Sequence, residues 1–319
     1  MANVGFKNII FSKYPCLEIF SRFIFFNKFI VKAISIIPNK KRKIFNKQQI
    51  DFDKVLHYLK ENGVKKGSIL ILHSSYENLI LTKKKPIEII DKLLELLGDE
   101  GTLAMPANRK LKGEFKSFDL INKTYDDIIL EYDLNKSKVW SGALPMFMLR
   151  DKRSEISKFP INSMVAIGKD AKRMMEKNIS GNLPTACGEN SSWKYCLDKD
   201  ATVISLGVDL VDSLTMIHAA EDIKNENWPI KGWYRHRTFR IKEKDDIVLK
   251  TVKERHPKWG MLYFMKRRLC KDLIENKILK TKLIDGLLIE IVSSKELINF
   301  LDSKNSNGYP YLSQKKNRK

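Results

Sequence analysis

Two short apolar runs joined by an amphipathic helix constrain this chain more than any other feature. Ser68 to His73 (SILILH) and Thr102 to Met105 read as strands. Between them Pro86 to Leu97 carries apolar residues at helical spacing and ends at Gly98. Strands connected this way form a right-handed parallel unit. The expected fold is therefore α/β: a central, largely parallel sheet flanked by helices in an αβα sandwich, preceded by an N-terminal amphipathic helical arm. The 319 residues are enough for one elaborated domain. Composition places its limits at 51–302, with a basic arm before it (1–50) and a basic disordered tail after it (303–319).

A third run, Thr202 to Val208, lies between Asp200 and Asp209 and reads as a strand buried on both faces. The residues after it read as a helix capped by Asp212 or Ser213. Thr215, His218, Glu221 and Asp222 then fall three to four residues apart, so a hydroxyl, an imidazole and carboxylates share one face near a strand's carboxyl end. Open α/β sheets bind their ligands there. A lone helical histidine is usually a packed or solvated residue; a carboxylate one turn on changes that, because it can orient the ring and stabilise an imidazolium.

The net charge of +21 attracts phosphates, nucleotides and anionic membranes and repels polycations. Nearly half of it lies in residues 1–50, where ten basic residues face Glu18 alone, a net +9. From Leu17 to Ile37 the polar residues fall on one arc of a helical wheel, opposite Phe20, Phe23, Ile24, Phe26, Ile30, Val31, Ile34 and Ile37. Lys28 and Lys32 interrupt any span long enough to cross a bilayer. Two readings stay open: a helix lying in an anionic membrane interface, or an arm packed on its own domain or on a second subunit. The four cysteines and five histidines make no metal signature. Reduced thiols and the lack of a secretory signal point to a cytoplasmic protein.

Ala107 to Asp133 reads as a long polar loop of the kind that lines a site. Trp228 to Arg240 interleaves aromatic and basic residues, as single-stranded nucleic-acid surfaces do. The alternation in RTFRIKEKDDIVLK fits a hairpin equally well, and no nucleic-acid partner is expected.

Six stretches in order resemble the aminoglycoside 3-N-acetyltransferase family, also called antibiotic N-acetyltransferases. They are GSILILHSS (67–75), LLGDEGTLAMPA (96–107), SGALPMFMLR (141–150), FPINSMVAIG (159–168), CGENSSWKYCL (187–197) and DSLTMIHAAED (212–222). The resemblance implies transfer of an acetyl group from acetyl-CoA, a cosubstrate, to an amine of an amino sugar, with no metal. It implies His218 as general base, Glu221 and Asp212 as orienting or amine-binding carboxylates, and Thr215 as a hydroxyl near the developing oxyanion. It places His73, Ser74 and Ser75 past a strand end, where amides and hydroxyls can hold the pantetheine arm or phosphates of CoA.

The chain departs from the pattern at Phe159, where the family has a histidine before proline, and at Ser192, where it has a proline. With His218 and Glu221 intact, the first change is expected to alter the substrate rather than remove activity. The positive charge suits an amino sugar attached to a nucleotide or lipid diphosphate better than a polycation. The expected function is therefore amino-sugar N-acetylation in surface-polysaccharide synthesis, at the inner membrane face where the arm is read as lipid-bound. The alternatives are aminoglycoside resistance and a non-catalytic or nucleic-acid-binding paralogue. Oligomeric state is not legible.

Overall fold

The computed structural model describes residues 6–27, 29–30, 48–115, 117–123, 125, 127–224, 228–305 and 311–313. Its strands are β1 (Ile69–Ser74), β2 (Thr102–Pro106), β3 (Ile129–Asp133), β4 (Glu155–Ile156), β5 (Met164–Gly168), β6 (Thr202–Leu206), β7 (Tyr234–Glu243), β8 (Asp246–Arg255), β9 (Lys280–Ile284) and β10 (Leu287–Ser293). Seven of them form one sheet in the order β4-β5-β2-β1-β6-β10-β9. β1 lies parallel to β2 and to β6, as the crossover predicts. β5 and β10 run antiparallel to both of their neighbours, so the other five strands all point one way. The sheet is thus largely parallel in direction, with a parallel centre.

Alternation along the strands explains the layers. Leu70 and Leu72 of β1 enter one core cluster with Leu103, Val165, Ile204 and Ile289, whereas Ile69 and Ile71 enter the other with Ala104, Ala166 and Val203. Because β1 is buried throughout its apolar length, it tolerates no polar face. The first cluster is closed by the helices Phe52–Glu61 and Pro86–Leu97. The second is closed by the helices Ser192–Asp198 and Ser294–Asn305 and by the small sheet β3-β7-β8. That small sheet holds two findings. The stretch 107–133 is not all loop, since it ends in β3, which pairs with β7. The hairpin read from 237–250 holds and extends further at both ends, with β7 and β8 paired over their whole length.

Among the described residues of the arm, α1 (Phe6–Lys13) and α2 (Pro15–Phe25) are separate short helices, so the helix read from Leu17 onward is interrupted after Phe25. α2 lies on its own domain through its polar side: Glu18 is fully buried, ion-paired with Arg22 and with Arg267 at 2.7 Å. Arg22 in turn donates to the carbonyls of Gly260 (3.0 Å) and Phe264 (2.7 Å). Residues 31–47, including the basic KKRK run, lie outside the described residues, as do 306–310 and 314–319 of the tail. The expected disordered tail is corrected where it is described. Ser303 to Asn305 finish a helix, and Tyr311 and Leu312 are buried, Leu312 bridging to Phe264.

Candidate active site

The chain leaves β6 through Gly207, whose φ of +71° suits glycine and whose missing side chain admits Asn78: a Cβ there would sit 2.7 Å from that of Asn78. The segment beyond is then anchored from a distance. Buried Glu290 on β10 accepts from the Leu210 amide at 2.6 Å, and Asp209 caps the Val211 amide at 2.9 Å. Two 3₁₀ turns follow, Leu210–Asp212 and Thr215–Ile217, before a single helical turn, His218–Asp222. The continuous helix expected from Asp212 onward is therefore corrected. Leu214, with ψ of 75°, interrupts it because the loop is fitted to Glu290 and to the core rather than to its own helical ladder.

This segment lines a cavity of about 340 Å³. Asp212, Thr215, His218 and Asp222 all reach its wall, opposite Lys253 and Arg255 of β8 and next to Met261, Phe264 and Lys266. His218 Nδ1 lies 3.2 Å from Glu221 Oε2, and Glu221 is fully buried behind the ring. The imidazole is 15% exposed, enough to meet a ligand in the cavity. Burial lowers its pKa below the usual 6.5 and the Arg255 guanidinium lowers it further, against an opposing pull from Glu221. The ring is accordingly neutral at pH 7, with Nε2 free to accept a proton once Nδ1–H is committed to the carboxylate.

Asp222 plays a different part from the one its spacing suggests. Its carboxylate accepts from the Cys187 amide at 2.8 Å and from the Tyr234 hydroxyl at 2.9 Å, tying three distant stretches together. Burial and the adjacent Glu221 push its pKa up to about 7. Asp212 is ion-paired with Lys266 at the cavity rim, its side chain 59% exposed. Thr215 Oγ donates to the Ser213 carbonyl at 3.3 Å.

His73, Ser74 and Ser75 do not line this cavity. His73 is buried in β1 opposite Ser205, its pKa lowered by burial to about 4, and its Nε2 finds no partner among the described residues. Ser75 bonds back to Leu206 and opens a four-residue helix, Tyr76–Leu79. The end of β1 abuts Gly142: a Cβ there would lie 3.8 Å from the Ser74 carbonyl. The adjacent Ser141 hydroxyl is likewise buried without a partner.

Sequence reasoning missed Arg255, which no motif marks and which only the hairpin brings opposite Glu221, at 3.9 Å. Phe159, in place of the family histidine, is 2% exposed within the core and does not line the cavity, although Ile161 and Asn162 do. The aromatic–basic stretch is no open surface. Trp228 and Trp233 are buried, Trp233 stacks on Trp259, and Arg235 and Arg237 are ion-paired with Glu254.

Comparison with known proteins identifies the family and the fold. The sequence model described as aminoglycoside 3-N-acetyltransferase matches residues 71–304. The SPbeta prophage-derived aminoglycoside N(3')-acetyltransferase-like protein YokD of Bacillus subtilis (strain 168) is 28% identical over 171 residues, covering 51% of this chain and 61% of that protein. Aminoglycoside N(3)-acetyltransferase IX of Micromonospora chalcea is 24% identical over 173 residues, covering 53% and 60%. The chain thus spans about three fifths of the length of these curated relatives. Among solved structures, the aminoglycoside acetyltransferase AAC(3)-IVa apoenzyme superposes with a TM-score of 0.64 at 19% identity, over 86% of this chain and 95% of that one. AAC-IIIb in binary complex with CoASH gives 0.61 at 18% identity, over 78% and 93%. AAC-VIa bound to sisomicin gives 0.63 at 18%, over 80% and 97%. At these identities the structural likeness is one of fold. With the sequence model matching most of its length, the chain belongs to the aminoglycoside 3-N-acetyltransferase family.

Proposed function

We propose that the protein is an acetyl-CoA-dependent N-acetyltransferase whose acceptor is an amine of an aminoglycoside. The observation that carries this reading is a neutral imidazole, oriented by a buried carboxylate, at the wall of a cavity of about 340 Å³. An alkylammonium must lose a proton before its nitrogen can attack a thioester carbonyl. His218 Nε2 takes that proton while Glu221 holds Nδ1–H and stabilises the imidazolium. The C–N bond forms and the C–S bond breaks; the imidazolium gives its proton to the departing CoA thiolate, and the remaining excess proton of the acylated nitrogen leaves to solvent. Thr215 and Asp212 line the same wall, and this reading gives them the developing oxyanion and the acceptor amines in exchange for their present partners.

The cosubstrate is supported by the family and by the solved neighbour in binary complex with CoASH. The known proteins named above favour an aminoglycoside over a surface-polysaccharide acceptor. Acetyl-CoA-dependent acylation of sisomicin or gentamicin, followed by thiol release, tests the reading. We expect turnover by the native chain and a loss of about 10²–10⁴-fold in kcat/KM for His218→Ala. A native chain that turns over neither compound defeats the acceptor assignment, and an unimpaired His218→Ala defeats the base.

A further inference from the structure

We propose that the apolar face of α2 seats the protein on an anionic lipid bilayer. An amphipathic helix packed on a domain normally buries its apolar face; α2 does the reverse. Glu18 and Arg22 point inward, into the ion cluster with Arg267, beside buried Ile19. Leu17 (45% exposed), Phe20 (64%), Phe23 (43%) and Ile24 (42%) are left facing outward along one side, with Phe25 and Phe29 exposed nearby. Isolated surface apolar residues need no explanation, but a continuous row of this kind marks an interaction site.

Charge selects the occupant. Glu18 is the sole acidic residue between positions 6 and 30, and it is fully buried, so this segment presents no carboxylate of its own to water. It belongs to a chain of net charge +21. A second copy docked here would bring the same excess of positive charge, whereas an anionic headgroup layer neutralises it and accepts aromatic side chains at its acyl boundary. No described helix is long and apolar enough to cross a membrane, so the contact is interfacial. It is held rigidly, because Arg22 bonds the carbonyls of Gly260 and Phe264, two residues of the cavity wall. This inference stands independently of the acetyl-transfer reading.

Flotation of the full-length protein with vesicles tests it, using phosphatidylcholine alone and phosphatidylcholine mixed with phosphatidylglycerol. The native chain is expected to float with the anionic vesicles and to be released by salt. Phe20→Ser combined with Ile24→Ser, both at exposed positions, is expected to weaken partitioning about tenfold or more at an unchanged thermal midpoint. In Phe20→Trp, anionic vesicles are expected to shift the tryptophan emission to the blue. Equal flotation of native and doubly substituted protein overturns the proposal. So does elution of the native chain as a dimer that the double substitution converts to monomer, which would assign the face to a second copy.

Discussion

His218 has its basicity set from both sides. Burial and Arg255 hold the ring neutral and Glu221 works against them, so the acid limb of a kcat/KM profile is expected below pH 6.5. Replacing Arg255 by Met removes one of the lowering influences. The limb should then move to higher pH while the thermal midpoint stays within a few degrees; a limb that does not move would show that Arg255 has no hold on the ring. Phe159 offers a second test at this scale. Phe159→His would place an imidazole in the core with no opening to the cavity, and should cost about 1–3 kcal/mol in denaturant unfolding without adding a second base. The pairing of His218 with Glu221 was legible because it is local, three residues apart on one turn. Arg255 was not: it reaches Glu221 only through the β7–β8 hairpin, and a contact over more than thirty residues leaves no periodic trace.

Among the elements, the strands were the easiest to read. β1, β2 and β6 are buried on both faces, and that demand shows directly as runs of Leu, Ile and Val. Leu70→Ala should therefore lower stability by about 2–5 kcal/mol, measured by urea unfolding. The site segment was misread as one helix because its shape comes from elsewhere: Glu290, on a strand about 80 residues later, holds the Leu210 amide. The Glu290 carboxyl is pushed up to about 7, chiefly by burial. With its folded pKa above the unfolded value of 4.5, the stability this group contributes is present at low pH and is lost as pH rises from 4.5 through about 7. Glu290→Gln keeps an acceptor for the Leu210 amide and cannot ionise. Its unfolding free energy, measured in urea, should gain on that of the native protein between pH 5 and pH 8 by an amount on the order of 2–3 kcal/mol; a constant gap would show that the carboxyl ionises freely. The arm was half legible. Its amphipathic character is plain in the sequence, but which side docks depends on Arg267, 249 positions away.

Across the whole molecule, the charge of +21 and the proposed polycationic acceptor oppose each other. The cavity does little to offset this, since Asp212, Asp222 and Glu254 on its wall are matched by Lys253, Arg255 and Lys266. Long-range repulsion between enzyme and acceptor is screened by added salt. Raising ionic strength should therefore increase kcat/KM for a multiply charged aminoglycoside, contrary to the usual behaviour of steered enzyme–substrate pairs; a decrease would show that the local field at the cavity is negative. An anionic bilayer would relieve the same conflict by gathering both cations on one surface.

The burial of Glu18 against Arg267 also bears on how the chain is made. A ribosome delivers α2 long before the basic partner that claims its charged side, and synthesis at about 5–20 residues per second leaves the helix undocked for tens of seconds. Throughout that interval both sides of the nascent helix are open to capture, so the first surface the arm meets is chosen before the domain beneath it exists.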